Sequence, residues 1–271
     1  MRKPLFIILL IVAFIGAVVG DAIWIEPNSV AVSYIRIDVE RPFEGLRIVH
    51  ISDLHLRSYG YREENILSII ESLRPDYISV TGDFIEDAKY LESCLKFLRE
   101  LSEICEVYCV LGNWDHWSGI DNDEFKQKFL SVNVILLINE YKVINIGNAT
   151  MYIVGVDDPY TGYADLDMAM PENVSNGSLI ILLAHSPQIV SDVLSSGHEV
   201  DLILCGHTHG GQVNIPFLGP LFIPLPREYR KYCSGLYMVN GTYMYVNRGL
   251  GTSTLNIRFL CLPEIALILL E

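Results

Sequence analysis

The sequence predicts an α/β fold of two packed sheets flanked by helices, and two observations carry that prediction. Five short apolar runs, at 46–51, 77–80, 107–111, 179–183 and 202–204, are each followed within two or three residues by an Asp, Asn or His. Strands that hand over polar side chains at their C-terminal ends read this way, because open α/β sheets collect their ligands at that edge. Helix-like segments separate the first three runs, whereas the chain from 134 to 156 holds mainly strand-like segments joined by Asn and Gly turns. Alternating α/β followed by a β-rich stretch is accommodated by two sheets with helices outside.

The elements follow in order. Leu5 to Gly20 carries no charge and borders on the roughly 20 apolar residues that cross a bilayer. Arg2 and Lys3 precede it and Asp21 and Glu26 follow it, which favours leaving the N-terminus in the cytoplasm and exporting the rest. A cleaved signal peptide competes, with Gly20 as a small residue at a cleavage point, and the protein would then be secreted. The run is longer than an ordinary signal core and lacks an Ala-x-Ala site, so an uncleaved anchor is favoured. Residues 1–26 are therefore expected to form an anchor or signal segment, and 27–271 one large domain.

Pro27 to Val39 reads as a tether leading into an edge strand in which Ile35 and Ile37 alternate with polar neighbours. Glu63 to Leu73 and Asp87 to Ser102 read as helices. In the second, Tyr90, Leu91, Cys94, Leu95, Leu98 and Leu101 make one apolar face, which is core. Asp121 caps a third helix running to Leu130. Val134 to Leu137, Lys142 to Ile146 and Met151 to Val156 read as strands. Asp157-Asp158-Pro159 follows the last of them and is therefore placed to reach the site, with a turn former the favoured reading for two acids before Pro. Ser186 is placed to cap a helix from Pro187 to Leu194. His50 falls in a strand and His198 in a turn, and neither suits ligation.

Gly210 to Cys233 carries four prolines and a set of apolar side chains, Phe217, Leu218, Leu221, Phe222, Ile223 and Leu225, followed by Arg227, Arg230 and Lys231. A loop of this length has a task. A lipid interface with its cations near head-group phosphates, or a fold back over the core, accounts for it equally well. The six cysteines show no paired spacing, so neither a zinc knuckle nor a disulfide framework is indicated, and Cys94, Cys105, Cys205 and Cys261 read as core thiols. The formal charge of −14 argues against a nucleic-acid partner, which wants a basic stripe.

Seven side chains stand out: Asp53 and His55, Asp83, Asn113, His185, then His207 and His209. Two divalent ions about 3.5–4 Å apart need a bridging carboxylate and imidazole and oxygen ligands that leave room for water and substrate. Asp83, alone between the other groups, is the candidate bridge. Asp-x-His by itself is a weak signal. Gly206-His207-Thr208-His209 is stronger, since imidazoles two residues apart can project the same way from an extended backbone. Mixed N/O ligation suits Mn²⁺, with Fe, Zn, Ni and Co open.

The ordered set Asp-x-His, Gly-Asp, Gly-Asn, His, Gly-His-x-His resembles the calcineurin-like metallophosphoesterases over nearly the whole chain beyond the N-terminal segment. The resemblance implies a four-layer αββα sandwich of two mixed sheets and hydrolysis of a phosphoester or pyrophosphate bond at a dinuclear centre. Carried over, it assigns Asp53, His55, Asp83 and His209 to one ion, and Asp83, Asn113, His185 and His207 to the other. The stretches 48–55, 206–213 and Arg248-Gly249-Leu250-Gly251-Thr252 are similar to the membrane-associated subgroup that includes YkuE-like proteins and some UDP-2,3-diacylglucosamine hydrolases. That similarity implies a membrane-lipid or lipid-precursor substrate, with a soluble phosphodiester second.

The chain departs from the family at Trp114, where many members carry a His that assists the leaving group. His116, with Asp115 orienting its ring, is one candidate for that role, and water is the other. A non-catalytic, metal-binding scaffold is the competing class of function, but eroded ligands would then be expected, and all seven are present. The sequence does not specify the oligomeric state.

Overall fold

The computed structural model describes residues 2–39 and 42–271. Its strands are β1 (Ala31–Ile37), β2 (Arg47–Ile51), β3 (Tyr77–Thr81), β4 (Glu106–Val110), β5 (Val134–Leu136), β6 (Glu140–Ile146), β7 (Ala149–Gly155), β8 (Leu179–Leu183), β9 (Leu202–Cys205), β10 (Asn214–Ile215), β11 (Gly219–Pro220), β12 (Gly235–Val239), β13 (Thr242–Val246) and β14 (Glu264–Leu270). The helices are α1 (Arg2–Gly20), α2 (Tyr61–Leu73), α3 (Leu91–Ile104), α4 (Asn113–Trp117), α5 (Asn122–Leu130), α6 (Leu166–Ala169) and α7 (Val190–Ser196).

Two six-stranded sheets form, in the orders β1-β14-β2-β3-β4-β5 and β12-β13-β9-β8-β7-β6. Both are mixed, since β2 to β5 run parallel while β14 opposes β2, and β7, β8, β9 and β13 run parallel while β6 and β12 oppose their neighbours. Alternation along each strand builds the layers. Ile48 of the first sheet and Leu179, Ile181 and Leu183 of the second meet in one apolar cluster between the sheets. Val49 and Ile51 turn the other way onto α2, α3 and α5, and Ile180 and Leu182 onto α6 and α7. A strand such as β8 is buried on both faces, which is why it reads as an unbroken apolar run. This is the αββα sandwich expected.

The helices start where the sequence indicates, with local differences. Asp121 caps α5 by accepting from Glu124 N at 2.8 Å. The segment expected to be helical from Asp87 opens as a 3₁₀ turn, Ala88–Tyr90, before α3. The Asp87 carboxylate accepts from Lys89 N, two residues on, at 3.0 Å, which draws the chain into a tighter turn than an α-helical cap. Pro187–Ile189 is likewise 3₁₀, under Ser186, and α7 follows it. All six cysteines are free; Cys94, Cys205 and Cys261 are buried and Cys105 is half-buried.

Helix α1 presents its apolar side chains outward, Phe14 being 70% exposed. The helix is long and apolar enough to cross a membrane. It does not end in a free tether. A π turn (Asp21–Ile25) and a 3₁₀ turn (Glu26–Asn28) continue it, and the Glu26 carboxylate accepts from Leu260 N (2.8 Å) and Cys261 N (3.2 Å). Arg258 N donates to Ala22 O at 2.9 Å. A buried carboxylate needs such donors, and here they come from the far end of the chain.

Candidate metal centre

The seven side chains singled out from the sequence converge where β2, β3 and β4 of one sheet and β8 and β9 of the other end. Asp53, His55, Asp83 and His209 lie close enough to share one ion, and Asp83, His185 and His207 another, with ligand atoms in each group within 4.8 Å of one another and every residue buried. Asp83 belongs to both groups. Its Oδ2 stands 3.5 Å from His55 Nε2 and 3.3 Å from His185 Nε2, while its Oδ1 accepts from Trp114 N at 2.8 Å. Asn113 Oδ1 lies 3.2 Å from His185 Nε2.

Close approach of backbones makes this convergence possible. A Cβ on Gly206 would sit 1.7 Å from Ser52 Oγ and 2.4 Å from Asp53 Oδ2, and one on Gly112 would sit 2.4 Å from Asp83 Oδ1. Only glycine fits where the chain passes this near another ligand. The Asp53 carboxylate accepts from His207 N at 3.0 Å, tying the two sheets together at the site.

The donor set fits cations. His185 Nδ1–H donates to Thr81 O (2.8 Å) and His207 Nε2–H to Pro224 O (2.9 Å). Each carbonyl fixes a tautomer and leaves the other ring nitrogen as a lone pair facing inward. Those lone pairs, on His185 Nε2 and His207 Nδ1, face each other at 3.1 Å, beside the Asn113 and Asp83 oxygens. Four acceptors converge with no donor among them, an arrangement that repels itself unless positive charge sits between them. In the other group His55 Nε2 and His209 Nε2 are 3.2 Å apart, and His209 Nδ1 is buried without a hydrogen-bond partner.

The electrostatics agree. Burial pushes His207 down to about 3 and His209 well below the ordinary imidazole value, so both favour the neutral, ligating form. Burial also works against charge on Asp83, but His185 and the other imidazoles outweigh it and hold the carboxyl below its usual range. At His185 burial also works against the cation, but Asp83 outweighs it and raises the pKa well above the ordinary imidazole value, so this point favours a positive charge, which a bound ion would supply in place of the ring proton.

A cavity of about 390 Å³ opens off the cluster, lined on the metal side by Asp83, Asn113, His207 and His209. Its remaining wall is mainly apolar and aromatic, including Trp114, Trp117, Tyr160, Leu221, Phe222 and Ile257. Trp114 lies edge-on to His55, with ring centroids 5.9 Å apart, and Tyr160 covers His207 at 4.5 Å. The sequence reading did not single out Tyr160, although its signal was present in Asp158. That carboxylate accepts from Tyr160 N (3.1 Å) and Thr161 N (2.8 Å), the expected turn, and so delivers the ring to the site.

His116 stands outside the cavity lining. Its Nε2 is 2.7 Å from Asp157 Oδ1, so Asp157, and not Asp115 as expected, orients the ring. Asp115 is buried beneath the site, where it accepts from Phe84 N, Ile85 N and Gly112 N; backbone amides claim it before the imidazole can. His50 is bonded to Thr81 Oγ1 and His198 to Asp167, both apart from the cluster.

A second group missed by sequence reading lies behind the ligands. Arg258 is fully buried and donates to the carbonyls of Arg248, Gly249, Gly251 and Cys261, folding that loop into a wall against Asp53. Gly251 N donates to Asp53 O and Cys261 Sγ to His209 O. An Arg held mainly by carbonyls has no charge-pair spacing to betray it in the sequence.

Comparison with known proteins agrees with this geometry. The model for the family described as calcineurin-like phosphoesterase matches residues 46–211. The chain is 31% identical over 266 residues to the uncharacterized metallophosphoesterase YkuE of Bacillus subtilis, covering 94% of this chain and 91% of that protein. It is 29% identical to the phosphodiesterase YaeI of Escherichia coli, over 82% of this chain and 81% of that one. A transmembrane protein with metallophosphoesterase domain from Danio rerio is also 29% identical, over 98% of this chain and 62% of that protein.

Proposed function

The chain belongs to the calcineurin-like phosphoesterase family, and on that premise we propose that it hydrolyses a phosphoester or pyrophosphate bond in an amphipathic, lipid-derived substrate at the membrane surface. It is a metallophosphoesterase, and its residue cluster suits a dinuclear divalent centre. Asp53, His55, Asp83 and His209 would hold one ion, and Asp83, Asn113, His185 and His207 the other, with Mn²⁺ the first metal to test. Such ions supply Lewis acidity toward phosphoryl oxygens and a nucleophile from water at neutral pH.

The protein's own groups set up that chemistry. Thr81 O and Pro224 O keep His185 and His207 in the ligating tautomer. Trp114 N holds the Asp83 carboxylate between the two groups of ligands, where it would be shared by both ions. Asn113 reaches the cavity and can orient a phosphoryl oxygen. Trp114, Trp117 and Tyr160 screen the reacting centre from bulk water on one side. His116 is committed to Asp157 away from the cavity, so we assign the leaving-group proton to water.

The observation that carries the lipid reading is the cavity, whose polar groups are concentrated at the ligand cluster while its outer wall is apolar. A phosphate bearing an apolar or amphipathic group matches both ends. The apolar α1 supports a membrane location, with the domain on the outer face given Arg2 and Lys3 ahead of the helix, residues 1–26 serving as anchor and 27–271 as the hydrolytic domain. The phosphodiesterase activity for which the Escherichia coli relative is named favours a phosphodiester as the second reading. Metal-reconstituted protein screened against a lipid extract and against bis-aryl phosphodiesters tests both. Release of a lipid-derived product is expected; turnover of the soluble diesters with every lipid phosphoester left intact would overturn the lipid reading and keep the second.

A further inference from the structure

Hairpin β10–β11 exposes its apolar side chains to a degree that packing does not explain. Phe217 at the tip is 108% exposed and Leu218 80%, with Leu221 at 67% and Phe222 at 66%. Contiguous apolar surface of this kind marks an interaction site. The base of the hairpin is nevertheless firmly held. Asn214 N donates to Phe259 O (2.8 Å), Phe259 N to Gln212 O (3.0 Å) and Asn214 Nδ2 to Leu260 O (3.2 Å).

The segment that holds it, 258–261, is the one that clamps the end of α1 through Ala22 and Glu26. Two hydrogen-bonded chain spacings of roughly 4.8 Å place the hairpin base within about 10 Å of that helix end. Between them Trp24, Ile25, Leu255 and Leu260 are all more than half exposed. The apolar helical stretch Pro4–Asn28 has 25 residues, about 37 Å at 1.5 Å per residue, against a hydrocarbon core of about 30 Å. Its last turn, with Trp24, therefore falls in the interfacial layer where Trp is favoured. Groups within about 10 Å of it are near enough to reach the head-group layer, which is roughly 5–7 Å thick on each side.

We propose that hairpin β10–β11, with Leu255 and Leu260, inserts into the leaflet that receives the end of α1, making a second membrane contact that seats the mouth of the metal cavity on lipid. The occupant is the bilayer, because the exposed patch is continuous with a helix that itself faces lipid. The same loops form the cavity wall, through Val213, Leu221, Phe222, Leu255 and Ile257, so a substrate leaves the leaflet directly into the site. This rests on the membrane location proposed above and not on the identity of the substrate.

Full-length protein in nanodiscs of phosphatidylcholine and phosphatidylglycerol tests it, with the photocrosslinker p-benzoylphenylalanine in place of Phe217, of Leu9 on α1, or of Leu130 on α5. Leu130 is 69% exposed and serves as the exposed control. Lipid adducts at 217 and 9, each at least tenfold above 130, are expected. Adducts at 9 with 217 no higher than 130, or crosslinking at 217 to a second copy of the chain, would overturn the hairpin contact while leaving the anchor. Absence of lipid adducts at 9 would overturn the membrane location as well. Hydrolysis of a bis-aryl phosphodiester by the same preparations reports separately on the phosphoesterase reading.

Discussion

Replacing Asp115 asks whether one buried carboxylate holds the ligand loops in place. Its Oδ1 accepts from Phe84 N (2.9 Å) and Ile85 N (3.2 Å) and its Oδ2 from Gly112 N (2.9 Å). The side chain thus ties the turn that follows Asp83 to the turn that presents Asn113. Asp115→Ala leaves three buried amides without an acceptor. At about 1–3 kcal/mol for each, and with partial relaxation, the expected loss is about 4 kcal/mol of stability. Asp115→Asn can keep both bonds to Oδ1 but sets its NH₂ against Gly112 N, so the expected loss is smaller, about 2 kcal/mol. Because the displaced loops carry ligands, metal affinity should fall by about 10–100-fold in either variant. Urea unfolding of metal-free protein in detergent reads the first effect and calorimetric titration with Mn²⁺ the second. An Ala variant with an unchanged unfolding midpoint and unchanged Mn²⁺ affinity would refute the reasoning, as would an Asn variant that is the more damaged of the two.

Asp83→Asn keeps an oxygen for Trp114 N but removes the shared charge, so metal content measured by inductively coupled plasma mass spectrometry should drop at both positions. A variant retaining full metal content and turnover would defeat the bridging role. His116→Ala should lower turnover less than tenfold, whereas loss of a general acid costs about 10²–10⁴-fold; a loss in that range would restore His116 to the reaction. Burial disfavours the His116 cation, but the hydrogen bond and charge of Asp157 outweigh it and raise the pKa. Its stabilising effect should therefore be complete below the unfolded value of about 6.5 and disappear as pH rises through the higher folded value. Imidazole NMR titration should show this elevation in the parent and its loss in Asp157→Asn, and an unaltered titration in the variant would rule out Asp157 as the cause.

The ligand strands were legible because each combines a doubly buried apolar run with a polar terminus, a pattern that survives without knowledge of partners. Helix α3 was legible for the same reason, its stripe of Leu91, Cys94, Leu95, Leu98 and Leu101 being buried as spaced. The chain beyond Cys233 was not. β12, β13 and β14 were left unassigned, and β14 lies between β1 and β2 inside the first sheet. Its run Glu264–Leu270 opens with a buried acid whose partners, Tyr245, Arg248 and Ser33, come from distant parts of the chain. No local spacing announces such a set. The segment from Pro27 does lead into the edge strand β1, but the fastening of the chain just before it was hidden similarly, because Glu26 finds its donors at residues 260 and 261.

The least legible feature of the site is its backbone. Asp53, His55, Asp83, His207 and His209 all have positive φ, between 42° and 70°, a region that costs a non-glycine residue about 1 kcal/mol or more. That strain follows from the architecture: a chain leaving a strand of either sheet must turn back at once to keep its ligand over the seam between them. Asp and His carry no branch at Cβ and enter this region more readily than Val, Ile or Thr. Residue type at these positions is thus selected by conformation as well as by coordination. The neighbouring hydrogen bonds, Asp53 N to Gly82 O, His55 N to Asp83 O and Gly251 N to Asp53 O, hold the turns in place. Part of the cost of ordering the ligands is therefore borne by these backbone contacts, and to that extent it does not fall on ion binding.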